Sequence, residues 1–358
     1  MATIEKRNQG GSTKYRVRWW ADDKQRSKSF TVYDEARRFK AVLEGDTANG
    51  SWIDPKAGQK TVQGFTEDWY KSVHDLRATS KEQLRSCVWN HVLPEFGALP
   101  LSGVTHAHVQ LWVNSQVGKL AGSTVRKNVF SLRRILQAAI RQGLIKSDPT
   151  TGISLPTASK KEQRFLTQAE VTTLSEAIRP RYKAMVLVAG FGGLRFGELC
   201  ALRRGNVDEV RSSVLVKETL IDVNNTVTFG PPKTKSSVRT VTLPRSIMAV
   251  LVQHMDTFTE NDPDALVFTF TNGTPIRRSW FRQRAWLPAL KAAGMEGLRF
   301  HDLRHTFVAL WVSLGRNPKE VSKVAGHSSV AFTLDRYGHL YDTPEDDLGD
   351  RLDLMLGA

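Results

Sequence analysis

The stretch HDLRHTFVAL, which begins at His301, poses a chemical question. On a helix, at about 100° per residue, His301, Arg304, His305 and Val308 fall on one side. Leu303, Phe307, Leu310 and Trp311 fall on the other and form an apolar stripe suited to a core. The first side crowds imidazoles against a guanidinium. Zinc does not fit, because Asp302, Leu303 and Arg304 fill the gap between the histidines where H-E-x-x-H would need its glutamate, and Arg304 would set a cation beside the metal. A phosphate fits better. The planar fork of arginine matches two phosphate oxygens, and histidine can donate beside it.

Three other stretches carry residues of the same kind. AGFGGLRFGELCALRRGNVD is glycine-rich, but no G-K-[ST] follows and no dinucleotide fingerprint is present. Its glycines suit a tight turn that presents Arg195. PPKTKSSVRTVTLP sets Lys233 and Lys235 near the tip of an expected hairpin, and VAGHSSVAFTLDRYGHL holds His327 and Tyr337. Taken singly, each has an ordinary reading: a surface arginine, solvated lysines, a packed tyrosine.

Their order changes that reading. Arginine in a glycine-rich turn, lysine in a hairpin, H-x-x-R on a helix, G-H and then tyrosine resembles the tyrosine recombinase family, and within it the phage-type integrases. The motifs GLRFGELCAL, HDLRHTF and GHSSVAFTLDRYGH carry the likeness over residues 190–340. The resemblance implies that Arg195, His301, Arg304 and His327 hold the scissile phosphate and that Tyr337 is the nucleophile. It makes Glu198 an accessory acid. Lys233 is the first choice for the general acid and Lys235 the alternate. The implied reaction cuts and rejoins DNA through a 3′-phosphotyrosine, with no metal and no cofactor. The implied partners are double-stranded DNA at core-type and arm-type sites, further copies of the chain in a tetramer on DNA, and accessory DNA-bending or directionality proteins.

Elementary chemistry supports these roles independently. A phosphodiester repels an incoming phenolate, and paired guanidinium groups neutralise that charge as it grows in the transition state. A free tyrosine ionises only near pH ~10, so attack at neutral pH needs a base or a strong cationic field. The departing 5′-oxygen needs a proton, which a lysine can supply. The phosphotyrosine link keeps the bond energy, so ATP is not needed.

Composition agrees. The chain of 358 residues has a formal net charge of +15, which favours a polyanionic partner, and 40% hydrophobic residues, enough for real cores. Only Cys87 and Cys200 are present, too few for a disulfide framework or a cysteine-held zinc site. No apolar run reaches the roughly 20 residues of a membrane span. The start, MATIEKRNQGG, has no signal-like apolar segment. The expected setting is the cytoplasm, close to the nucleoid of a bacterial host.

The elements that must position these residues read as a multidomain chain. Residues 1–55 are expected to form a small α+β domain, a short antiparallel sheet plus a helix, that grips arm-type DNA. In KYRVRWW, Tyr15, Val17 and Trp19 alternate with Lys14, Arg16 and Arg18, and KQRSKSFTV repeats the pattern. Arg16, Arg18, Arg26 and Lys28 are expected on one DNA-facing side. DEARRFKAVLEG reads as a helix with Ala36, Phe39, Val42 and Leu43 inward and Gly45 at its end. Residues 60–155 read as an all-α core-binding domain, whose last helix is made basic by Arg126, Lys127, Arg133 and Arg134. Residues 165–358 read as a mainly α catalytic domain with a small antiparallel sheet. It opens on a capping box from Thr167 to Glu170. At the far end, Leu348, Leu352, Met355 and Leu356 recur at helical spacing, which suits a helix packed on its own domain; the family resemblance implies instead an exchange into a neighbouring copy.

Other readings have distinguishing signs. A chromosome-dimer resolvase shares the chemistry but resembles only the last two domains. A DNA-binding protein without catalysis would form no covalent adduct. A metal-dependent nuclease or transposase would stop in chelator.

Overall fold

The computed structural model describes residues 2–9, 12–21, 24–48, 57–157, 164–232, 237–341 and 348–356. The chain gathers into two compact units, Met1–Lys160 and Lys161–Ala358.

The first unit opens with strands β1 (Thr3–Gln9), β2 (Ser12–Ala21) and β3 (Lys24–Phe30), followed by helix α1 (Tyr33–Ala48). The strands are antiparallel in the order β1-β2-β3. The sequence pattern does not announce β1, because Ile4 is the only apolar side chain on its inward face. The register corrects one expectation. Val17 stands opposite Lys28, and Trp19 opposite Arg26. Directly opposed residues share a face, so Arg26 and Lys28 lie on the side of Val17 and Trp19, away from Arg16 and Arg18. The Lys28 ammonium lies 5.0 Å from the centre of the Phe39 ring and 5.3 Å from that of Phe30. The outer face carries Arg7 opposite Lys14, with Arg16 opposite Glu5 and Arg18 opposite Thr3. Period-2 alternation places residues within one strand; only the pairing register says which face of the next strand joins them.

Helix α1 buries Ala36 and Leu43 and half-buries Phe39, but Val42 is 62% exposed and Gly45 lies inside the helix. From Ala36 the inward positions at i+3, i+4 and i+7 are Phe39, Lys40 and Leu43, and Val42 is about 100° away from Leu43.

The same unit continues as helices. These are α2 (Val62–Lys71), α3 (Ala78–Cys87), which runs through a π turn at Val88–Val92 into α4 (Leu93–Phe96), α5 (His106–Gln116) and α6 (Gly122–Arg141). They enclose a core that includes Phe65, Trp69, Phe96, Trp112, Leu132 and Ile135. Gly143, at φ +67°, follows the end of α6 in the left-handed conformation a helix stop favours. The basic residues of α6 are largely engaged within the chain. Arg126 donates to the Pro156 carbonyl at 3.0 Å, Arg133 donates to the Thr150 hydroxyl and carbonyl at 2.9 and 2.7 Å, and Arg134 bonds Asp75 at 2.9 Å. Lys127 is exposed.

The second unit begins with α7 (Gln168–Ala177), whose capping box forms in both directions between Thr167 and Glu170. Then follow α8 (Pro180–Gly192), α9 (Phe196–Leu199) and strands β4 (Val207–Asp208), β5 (Ser213–Val216), β6 (Thr219–Val223), β7 (Thr226–Gly230) and β8 (Arg239–Thr242). Next come α10 (Arg245–Phe258), α11 (Arg278–Phe281), a π turn at Arg282–Trp286, and α12 (Leu287–Ala292). The chain ends with α13 (Asp302–Ser313), α14 (Pro318–Ala325), α15 (Val330–Tyr337) and α16 (Leu348–Leu356). Strands β4, β5 and β8 form one sheet, and β6 and β7 form a separate hairpin. The hairpin turns at Asn224 and Asn225, at φ +50° and +62°, the conformation a tight two-residue turn needs. Strands β5 and β8 pair antiparallel, as the small sheet expected there requires, with the β6–β7 hairpin between them in the chain. Lys233 and Lys235 lie outside the described residues.

Helices α8 and α13 form the centre of this unit. Nine of the 13 residues of α8 are buried, and Gly190 lets Val171 of α7 and Leu303 of α13 approach closely. In α13 the run Asp302–Val308 is buried on all sides, so both of its faces are interior. Val308 therefore joins Phe307 and Tyr337 in a core cluster and does not line the polar side. Leu354, Met355 and Leu356 of α16 are exposed. No helix among the described residues is long and apolar enough to cross a membrane.

Candidate active site

The site is organised by the end of α14. A helix leaves its last carbonyls without intrahelical partners, and they carry the negative end of the helix dipole. Here three consecutive carbonyls accept from three different arginines. Arg239 donates through Nε to Val324 O at 2.7 Å, Arg304 donates to Ala325 O, and Arg195 donates to Gly326 O at 2.6 Å. These arginines come from β8, from α13 and from the turn before α9. Arg304 also donates to Gly193 O at 2.5 Å.

Glycine is required at both turns that supply these acceptors. Gly193, at φ +65°, caps α8, and a Cβ there would stand 2.2 Å from the Phe307 ring. Gly326, also at φ +65°, caps α14, and a Cβ there would meet the Arg239 side chain at 3.1 Å. The expected tight turn before Arg195 is therefore present, and its carbonyl holds a second arginine.

One carboxylate balances the cluster. Glu198 is 3% exposed and bonds Arg195 at 2.6 Å and Arg239 at 3.0 Å. Burial alone would raise its pKa, but Arg239 and Arg195 outweigh that and hold it below the usual carboxylate range. Burial and the neighbouring Arg195 and Arg239 push Arg304 down to about 9, so it remains a cation at neutral pH. Three guanidinium groups against one carboxylate leave the cluster positive and suited to an anion. Each terminal guanidinium nitrogen carries two N–H groups, so a bond to one carbonyl leaves donor capacity for another acceptor.

The histidines and the tyrosine lie beside it. His327 follows Gly326 directly, and its Nδ1 is 2.8 Å from the Thr333 hydroxyl. Its ring lies parallel to that of Tyr337 within 5°, with centroids 6.0 Å apart. Tyr337, the last residue of α15, is 1% exposed, and its hydroxyl is 2.6 Å from His305 Nδ1. Burial raises its pKa against the pull of Arg304 and Arg336. His301 caps α13 and keeps an exposed edge, with its ring 4.8 Å from that of His305. The packing around His301 and the cations Arg304 and Arg195 push it down to about 4. Burial, with Arg304 and Arg195, pushes His327 to about 3. At neutral pH these imidazoles are neutral.

The structure thus brings Arg195, Glu198, His301, Arg304, His327 and Tyr337 together. It also adds two residues that sequence reasoning leaves out. Arg239 sits in VRTVTLP, where the strand alternation puts it inward with Val241 while Thr240 and Thr242 face out. An arginine on the inward register of a strand signals a buried acidic partner. His305 shares the polar side of its helix with His301 and Arg304, but H-x-x-R names only its neighbours.

Comparison with known proteins bears on the family and the fold. Residues 164–343 match the phage integrase family, and residues 61–116 match the phage integrase N-terminal SAM-like domain. A protein named as a prophage phiRv2 integrase of Mycobacterium tuberculosis is 30% identical over 326 residues, covering 86% of this chain and 85% of that protein. The integrase of Mycobacterium phage D29 is 25% identical, over 86% of this chain and 84% of its own. Among solved structures, the Tn1549 transposon integrase in complex with transposon right end DNA superposes with a TM-score of 0.67 at 19% identity, over 84% of this chain and 100% of that one. A lambda integrase dimer bound to a COC′ core site gives 0.59 at 14% identity, over 96% and 97%. These two share the fold. With its second unit matched almost throughout by the family model, and relatives aligned over most of their length, the chain belongs to the phage integrase family.

Proposed function

We propose that this chain is a site-specific DNA recombinase, an integrase, that cuts and rejoins strands through a phosphotyrosine at Tyr337. The observation that carries the reading is the convergence of Arg195, Arg304 and His327 on the end of α14, with the Tyr337 ring parallel to that of His327. In this reading Arg195 and Arg304 take the non-bridging oxygens of the scissile phosphate, and His301 and His327 donate beside them. The charge that builds on those oxygens meets donors already held in place, so little reorganisation is needed. Glu198 and Arg239 keep the two arginines aimed. Lys233, with Lys235 as alternate, protonates the departing 5′-oxygen. A second 5′-hydroxyl then attacks the phosphotyrosine and reseals the strand.

Double-stranded DNA is the partner in this reading; the Tn1549 integrase is seen in complex with transposon right end DNA, and a lambda integrase dimer bound to a COC′ core site. A tetramer is the working form in this reading; a lambda integrase tetramer bound to a Holliday junction has the same fold at TM-score 0.57. Residues 1–55 grip arm-type sites, residues 60–155 grip the core site, and residues 165–358 do the chemistry. Accessory bending or directionality proteins complete the assembly, which works in the cytoplasm on the host nucleoid.

The test is a nicked suicide duplex built from an attachment site, found by searching the DNA that flanks the gene for a direct repeat. The wild-type chain should form a covalent adduct stable to denaturant, and Tyr337→Phe should bind the duplex without forming one. Tyr341, partly buried four positions on, is the decoy. An adduct that survives Tyr337→Phe and disappears in Tyr341→Phe would refute the assignment.

A further inference from the structure

We propose that His305 is the base that takes the Tyr337 proton during strand cleavage. The proposal rests on the recombinase reading above and deepens it. The geometry is direct: His305 Nδ1 lies 2.6 Å from the Tyr337 hydroxyl, and both side chains are buried. For Nδ1 to accept that proton the ring must carry its own hydrogen on Nε2. That nitrogen is buried with no hydrogen-bond partner among the described residues. An unpartnered buried polar atom costs about 1–3 kcal/mol, a cost that a histidine kept only for packing would not explain.

The surroundings determine when the base works. His305 faces His301 and Asp302 at the head of α13, Arg299 before it, Arg336 and Tyr337 on α15, and His327 after α14. Burial, then His301 and Arg336, push His305 down to about 3, so in the free protein it is a neutral acceptor and the proton stays on the phenol. A phosphodiester entering the arginine cluster brings negative charge. That charge offsets the cations that disfavour imidazolium and raises the proton affinity of His305 where it is needed. The tyrosine is thus armed by its substrate.

The step balances. The Tyr337 proton passes to Nδ1 as the phenolic oxygen forms its bond to phosphorus. The bond from phosphorus to the 5′-oxygen breaks, and that oxygen takes a proton from the acid assigned above to Lys233. On resealing, His305 returns its proton to the departing phenolate.

His305→Asn tests this. Asparagine can set its amide oxygen close to the position of Nδ1 and accept the hydroxyl, but it takes up no proton. On the same suicide duplex the variant should bind normally, and its adduct should form about 10²-fold more slowly at neutral pH. The deficit should shrink only at alkaline pH, beyond the range near 10 where a free phenol ionises, because burial raises the pKa of Tyr337. Near-wild-type cleavage by His305→Asn at every pH would mean that the contact only positions Tyr337, and would overturn the proposal. A loss of the same size at every pH would also overturn it. If the wild-type chain itself gives no adduct, the recombinase reading fails and takes this one with it. Melting temperatures of both proteins show whether the variant is folded. In the free protein, ¹⁵N spectra should place the His305 proton on Nε2; a proton on Nδ1 would contradict the acceptor role.

Discussion

Arg239 and Glu198, 41 positions apart in the chain, form a buried ion pair at 3.0 Å. Glu198 also holds the backbone N–H of Arg195 at 3.0 Å and its guanidinium at 2.6 Å. A single carboxylate therefore ties the glycine-rich turn to strand β8. Removing one member of such a pair leaves the other charge buried and uncompensated, at a cost of about 3–5 kcal/mol.

Glu198→Gln should accordingly lower both stability and cleavage, and its stability should depend less on pH. The folded protein holds this carboxyl below its ordinary pKa, so ionised Glu198 stabilises the fold above the unfolded value. That stabilisation is lost as the pH falls through the folded value. Thermal melts between neutral and acidic pH should show the wild type losing more stability than the variant. Parallel curves would mean that Glu198 does not carry this acid sensitivity.

Gly193→Ala should impair the site from beneath. A left-handed φ costs a non-glycine residue roughly 1–2 kcal/mol, and the new methyl would meet the Phe307 ring at 2.2 Å. Relief moves either α13 or the carbonyl that holds Arg304. Cleavage should fall further than duplex binding, as measured by adduct yield against gel-shift affinity. Unchanged cleavage would show that the Gly193 carbonyl does not position Arg304.

The small N-terminal sheet divides its cations between two faces, so their effects should differ. Arg16→Ala with Arg18→Ala should lower the salt slope of binding to arm-type DNA by about 2, roughly one for each lost phosphate contact. Arg26→Ala with Lys28→Ala, on the side of Val17 and Trp19, should affect folding more than the slope. Equal slopes for both double variants would mean that the outer face does not lie on the DNA.

The acid is a separate question. A duplex with sulfur at the 5′-bridging position has a leaving group that needs little protonation. It should restore cleavage to Lys233→Ala, or to Lys235→Ala if that lysine is the acid. If neither variant is restored, the proton comes from elsewhere.

By itself the sequence determined whatever depends on local spacing and residue type. The helices were legible because apolar residues recur at three and four. The Thr167 capping box and the Gly143 stop were legible because caps are made by residues a few positions apart. The ordered series Arg195, His301, Arg304, His327 and Tyr337 was legible because these residues fall in three short motifs. Tertiary structure decided what depends on register and on contacts between distant segments. Arg26 and Lys28 changed face because opposed pairs, not alternation, set the sides of a sheet. The β6–β7 hairpin came between β5 and its partner β8 because pairing between distant strands, not the local run, sets the sheet. Arg239 entered the site because its partners, Glu198 and Val324, lie 41 and 85 positions away. His305 became a partner of Tyr337 because the fold brings the end of α15 against a residue of α13 that lies 32 positions away. A buried polar atom must find a partner wherever the fold supplies one, and no spacing along the chain records which partner that will be.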